Sequence, residues 1–150
     1  MAADNIDRFN RLTGSVFGRL YSSFPMPIDL EVMDFAGAVV RSGDPDQEDQ
    51  MDNAREFFRS TLTWLSESGY MTHTASTSDI ARFYGCTLTA KALEVLKSTP
   101  SSVGGETLGG KLASAAKDGA TSKLKDLAGE ALSKGYDLAS RTAMAWIASQ

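Results

Sequence analysis

A chain of 150 residues, 42% of them hydrophobic, can bury one ordinary core and a small appendage. Its formal charge of −4 is uneven: residues 1–100 carry nine basic and fourteen acidic side chains, a balance of −5, whereas residues 101–150 carry six and five, a balance of +1. An acidic body argues against a surface built to attract phosphate backbones. The single cysteine, Cys86, excludes an internal disulfide framework and suits a reducing compartment. The start, Met-Ala-Ala-Asp-Asn, lacks the features of a signal peptide, and no apolar run nears the roughly 18 residues of a membrane span. A cytoplasmic location is the expectation.

In chain order, Ile6, Phe9, Leu12, Val16, Phe17 and Leu20 recur with helical period and predict a helix over 5–21. Phe24-Pro-Met-Pro-Ile-Asp-Leu30 ends it, because each proline lacks a donor and holds its predecessor extended. Residues 28–30 are expected as a short strand. Val32, Phe35, Ala36 and Val39 predict a short helix over 32–41, and Ser42-Gly43-Asp44 a turn. The helix expected over 44–68 opens well: Asp44 can cap, Pro45 suits the first helical position, and Gln47 completes a box-like pairing. Gly69 offers a left-handed stop, and segments 70–74 and 83–87 flank a polar loop as a two-stranded hairpin. Thr89 then caps a helix, with Leu88 and Leu93 as its hydrophobic staple. Phe58, Leu62, Leu65, Leu88, Leu93 and Leu96 are expected to be buried together.

Helix, strand, helix, turn, helix, strand, loop, strand over residues 5–98 resembles the winged helix-turn-helix superfamily. The resemblance implies a mainly α (α+β) fold, with a winged-helix-like domain and its β-hairpin wing in residues 1–100. In members that bind DNA, the second helix of the helix-turn-helix enters the major groove by its N-terminal end. Carried onto this chain, that end is Asp44, Pro45, Asp46, Gln47, Glu48, Asp49, Gln50 and Asp52, with no base before Arg55. Gln47 and Gln50 are adenine-reading residue types, but the acids would meet phosphates inside a Debye length of about 8 Å. The loop 75–79 adds one more acid, and its nearest cation is Arg82. DNA is therefore disfavoured as a partner. The resemblance points to the members that bind proteins or dimerise.

Residues 101–106 read as a linker, and 107–150 as an Ala/Gly/Lys-rich helical extension. Every fourth residue from Leu108 to Tyr136 is apolar: Leu108, Leu112, Ala116, Ala120, Leu124, Ala128, Leu132, Tyr136. Such a row drifts about 40° per step around a 3.6-residue helix, so one straight helix cannot keep it on one face. A break near Gly119, Gly129 or Gly135, or winding around a partner, is expected. Gly135, Ala139 and Ala143 place small residues four apart, which permits close backbone approach. Trp146 and Ile147 would anchor the segment on a membrane surface, although its mixed charges weaken that pull.

Chemistry finds little to stand on. Gly105-Glu-Thr-Leu-Gly-Gly-Lys111 matches seven positions of a phosphate-binding loop, but Leu112 stands where a magnesium-binding hydroxyl belongs. Asp44–Asp49 lacks the glycine and the glutamate of a calcium loop. His73 and Cys86 lie on opposite arms of the expected hairpin, where a small buried thiol and a surface histidine are the ordinary outcome. No clustered ligand set suggests a metal. The expectation is a protein without catalytic, cofactor or metal residues: an adaptor or regulator that recognises an unidentified protein and self-associates, as a dimer, through its C-terminal helices. A dimeric DNA-binding regulator is the alternative, and a membrane-surface protein held by its C-terminal segment a more distant one. The candidate partner-binding residues are Asp46, Gln47, Asp49, Gln50, Arg55, Arg82, Tyr136 and Trp146.

Overall fold

The apolar stripe of the first expected helix lies on α1 (Ala2–Ser23), where Leu12, Val16, Phe17 and Leu20 are buried. The computed structural model describes residues 2–39, 47–77, 81–98 and 106–148; the side chains of 2–4, 47–49, 77 and 139–148 fall outside that description. The prolines end α1 as expected, and β1 (Ile28–Glu31) follows. Instead of one helix over 32–41 there is a 3-10 turn, Val32–Phe35, running into the single turn α2 (Ala36–Val39). Three residues per turn stack Val32 above Phe35, and both are buried.

α3 (Gln47–Glu67) buries Ala54, Phe58, Leu62 and Leu65 along one face. Its expected start at Asp44 and Pro45 lies outside the described residues. At its end the Gly69 N–H donates to the Ser66 carbonyl (3.1 Å) and the Tyr70 N–H to the Leu65 carbonyl (2.9 Å). With Gly69 at φ +83° this is a Schellman stop, satisfying carbonyls that the helix leaves open.

The sheet is small and antiparallel. β4 (Arg82–Leu88) is central, β1 pairs along one side, and β2 (Met71–Thr72) and β3 (Ala75–Thr77) pair with its other side. The expected strand 70–74 is thus interrupted: Thr74 leaves the run, and its N–H and Oγ1 both donate to the Tyr84 carbonyl, at 2.9 and 3.1 Å. Opposite it, β4 bulges. Ile28 pairs with Cys86 but Leu30 with Phe83, so two steps on β1 face three on β4. Gly85, at φ +62°, takes up the extra residue, and its N–H donates to Asp29 Oδ1 (3.1 Å). The bulge lets Phe83 and Cys86, three residues apart, both point into the core.

α4 (Ala90–Lys97) starts as the sequence predicts, with the Thr89 hydroxyl accepting from the Ala92 N–H at 3.2 Å. Leu93 is only partly buried, and Ala92, Val95 and Leu96 supply the inward face; the other five residues expected in that cluster are buried. Beyond it, α5 (Leu108–Asp118) and α6 (Thr121–Ala148) are separated at Gly119, φ +68°, while α6 runs unbroken through Gly129 and Gly135. The four-residue row drifts as helix geometry demands: Leu124 and Ala128 are buried, Leu132 half-buried and Tyr136 exposed. The row that stays inside is Leu124, Ala128, Ala131 and Gly135, close to 3.6-residue spacing.

Both C-terminal helices pack on α1. An added Cβ at Gly14 would lie 2.5 Å from the Leu124 carbonyl oxygen, and one at Gly18 would lie 2.6 Å from that of Leu112. Only glycine permits these crossings. One buried cluster therefore runs from α1 and the sheet through Leu108, Leu112, Ala115, Leu124 and Ala131. Among the described residues no helix is long and apolar enough to cross a membrane.

Candidate functional site

The residues expected to meet a partner stand on separate elements. Asp46 lies outside the described residues, and the side chains of Gln47, Asp49 and Trp146 lie outside the description. Gln50 is half-buried in the first turn of α3. Arg55 pairs with Asp52 of its own helix at 3.4 Å, an exposed contact of little energetic weight. Arg82 begins β4 and pairs with Glu31 on β1; that hydrogen bond and charge hold its pKa above the ordinary value. The guanidinium also sits 6.0 Å from the Tyr84 ring. Tyr136 stands out from α6, 72% exposed, beside Gly135, which packs against the Tyr70 hydroxyl.

The reactive side chains are equally separated in character. Cys86 is fully buried, its Sγ 3.5 Å from the Phe83 carbonyl oxygen. Burial pushes its thiol up to about 12, Asp29 adds to the rise, and a backbone hydrogen bond at Leu30 opposes it. A thiol so placed is protonated at neutral pH and is a poor nucleophile. His73 meets the edge of the Phe83 ring at 4.9 Å, and its Nδ1 lies 3.4 Å from Ser66 Oγ. Among the described residues no three His, Cys, Asp or Glu side chains gather as metal ligands. In the near-match to a phosphate loop, Gly109 lies against the Tyr21 ring and Thr107 Oγ1 accepts from the Gly110 N–H at 3.1 Å. Close packing and a helix cap account for those residues.

Two surface features escaped the sequence reading. The first is an aromatic ladder across α1, α3 and the turn before β2. Phe9 meets Trp64 edge-on at 5.4 Å, Trp64 stacks on Tyr70 at 6.1 Å, and Tyr70 contacts Phe17 at 5.7 Å. Lys91 Nζ lies 4.2 Å from the Tyr70 ring centroid, a cation–π contact from α4. The ladder is not wholly covered: Trp64 is 46% exposed, and Ile6, one turn before Phe9, is 60% exposed. The signal was present in the spacing, since Trp64 lies two residues after Leu62 and so off the buried face of α3. The second feature is at the other end of α1, where the exposed loop 24–27 borders a cleft against α5.

No protein-family model, curated protein or solved structure matches the chain.

Proposed function

We propose that the chain is a winged-helix-like, non-catalytic binding protein, an adaptor or regulator that meets a protein partner and self-associates through its C-terminal helices. The element order, with β1 on one side of β4 and the interrupted hairpin on the other, supports the winged-helix-like reading. The observation that carries the binding role is the half-exposed Trp64, held between Phe9 and Tyr70, with the exposed Ile6 one turn before Phe9 on α1. Tryptophan is enriched where interfaces concentrate their energy, and a side chain already fixed by stacking loses little entropy when a partner covers it. Arg82, the cation nearest the hairpin loop, is engaged by Glu31, which favours a protein partner over nucleic acid. Self-association would use the outward side of α6 that Tyr136 marks, because its inward side is occupied by α1 and Tyr70.

Capture from a native lysate, with and without nuclease, tests the partner class. The expected result is a retained protein that nuclease does not release and that Trp64→Ala and the surface change Ile6→Asp both lose. Release by nuclease, or capture indifferent to both variants, would overturn the reading. Light scattering tests the oligomer: a dimer that Tyr136→Asp converts to monomer is expected, and a monomeric parent protein would remove self-association.

A further inference from the structure

Residues 24–27, Phe-Pro-Met-Pro, are four consecutive apolar residues, and all are exposed; Phe24 is 38% and Met26 67% exposed. The loop is anchored at both ends, by Ser23 closing α1 and Ile28 opening β1, and its two prolines restrict its backbone. None of these four side chains belongs to the buried cluster.

Ser23 and Ile28 also line a cleft of about 690 Å³ between the last turns of α1 and α5, so the loop rises from the cleft's rim. Among the described residues, the charged ones lining it are Arg19 and Lys117, with no acid beside them. Lys117 has no ion-pair partner among the described residues. Arg19 reaches Asp34 only at 3.9 Å, with both side chains well exposed, so a ligand displaces that contact at small cost. The hydroxyls of Ser22 and Ser23 donate to the carbonyls of Gly18 and Leu20, which leaves Ser114 as the wall hydroxyl able to donate. A guanidinium fork, an ammonium and a hydroxyl on two helices suit a tetrahedral phosphate. A free phosphate gives the apolar tip no role, whereas a bilayer accounts for both features at once: apolar side chains enter the interface where cations hold headgroups.

We propose that this end of the molecule docks on an anionic phospholipid surface, with Phe24 and Met26 entering the interface and Arg19 and Lys117 binding a headgroup phosphate. The site is independent of the aromatic ladder. The acidic body limits the attraction to this local pair of cations, so binding is weak and salt-sensitive.

Co-sedimentation of the full chain with phosphatidylcholine vesicles, with and without phosphatidic acid, tests it. Binding is expected to the acidic vesicles and to fall at high salt. Met26→Asp should weaken it by about tenfold or more, and Arg19→Ala and Lys117→Ala by about fivefold each. All three side chains are exposed, so circular dichroism should report unchanged folding. Absence of binding to the acidic vesicles overturns the proposal. So does binding that none of the three variants weakens, or binding of inorganic phosphate that Arg19→Ala abolishes in a protein that ignores vesicles.

Discussion

At the scale of single residues, burial decides which groups can react. With its thiol raised from an ordinary 9.0 to about 12, Cys86 should resist iodoacetamide at mildly alkaline pH until the protein unfolds. The same shift sets a pH dependence. Between those two values the unfolded chain has lost the proton that the folded chain keeps, so stability falls as pH rises through that window and is unaffected below it. Denaturant midpoints of the parent and of Cys86→Ala, followed across the window, should converge; parallel curves would contradict the assigned burial. Thr13 makes a different case. Its hydroxyl is buried in α1 with no hydrogen-bond partner among the described residues. Thr13→Val keeps the shape and removes the orphaned group, and should raise stability by about 1 kcal/mol. A loss of stability would reveal a partner for that oxygen. Arg8 shows how burial tolerates a charge: its guanidinium donates to the Val39 carbonyl and to Asn53 Oδ1 (2.8 Å) and covers the Phe57 ring, tying α1 to α2 and α3. Nothing near Arg8 in sequence announces these contacts, because Val39, Asn53 and Phe57 all stand on other elements.

At the scale of elements, the helix faces carry the energetics. Leu62 is buried on α3 among Phe58 and Leu65, and Leu62→Ala should cost roughly 2–5 kcal/mol in chemical denaturation. The glycines of α1 make a sharper test. Gly14→Ala drives a methyl group onto the Leu124 backbone and should cost about 1–3 kcal/mol. Gly37→Ala, with no described residue within 4 Å of the added methyl group, should be neutral or stabilising by about 0.4–1 kcal/mol. Equal effects from the two changes would mean that α6 does not press on α1 as described. These cases also mark what was legible in the sequence. Thr89, Gly69 and Gly119 act within a few residues of themselves, so capping and stop signals can be read locally. Gly85 carries a hint, since glycine inside a strand pattern often marks a bulge, but the hairpin pattern alone does not say where the extra residue falls. Gly14 and Gly18 carried none, because their reason is the distant backbone of Leu124 and Leu112. The surface sites follow the same rule. Arg19 and Lys117 become a pair only once α5 returns along α1, and Trp64 becomes prominent only once Phe9 and Tyr70 flank it.

At the scale of the whole molecule, the question is whether the last third of the chain is an attachment or part of the core. α1 packs toward α2, α3 and the sheet on one side and toward α5 and α6 on the other, and the buried cluster is continuous through it. Removing residues 107–150 would uncover Gly14, Gly18, the Tyr21 ring and the Tyr70 hydroxyl together. The removed segment would fare no better alone, since interior glycines each cost close to 1 kcal/mol relative to alanine and helices gain most of their stability from packing. The intact protein should therefore unfold in one transition, with far-UV and near-UV circular dichroism tracing the same curve. The peptide 107–150 should be largely unfolded in water, and the fragment 1–106 should be less soluble than the parent or expose apolar surface that binds a hydrophobic dye. Mixing the two fragments should restore helical signal beyond the sum of the separate spectra, because each supplies the surface the other lacks. If instead fragment 1–106 unfolds cooperatively at the parent's midpoint and gains nothing from the peptide, α5 and α6 contribute no stability, and their contact with Gly14 and Gly18 is not part of the folding unit.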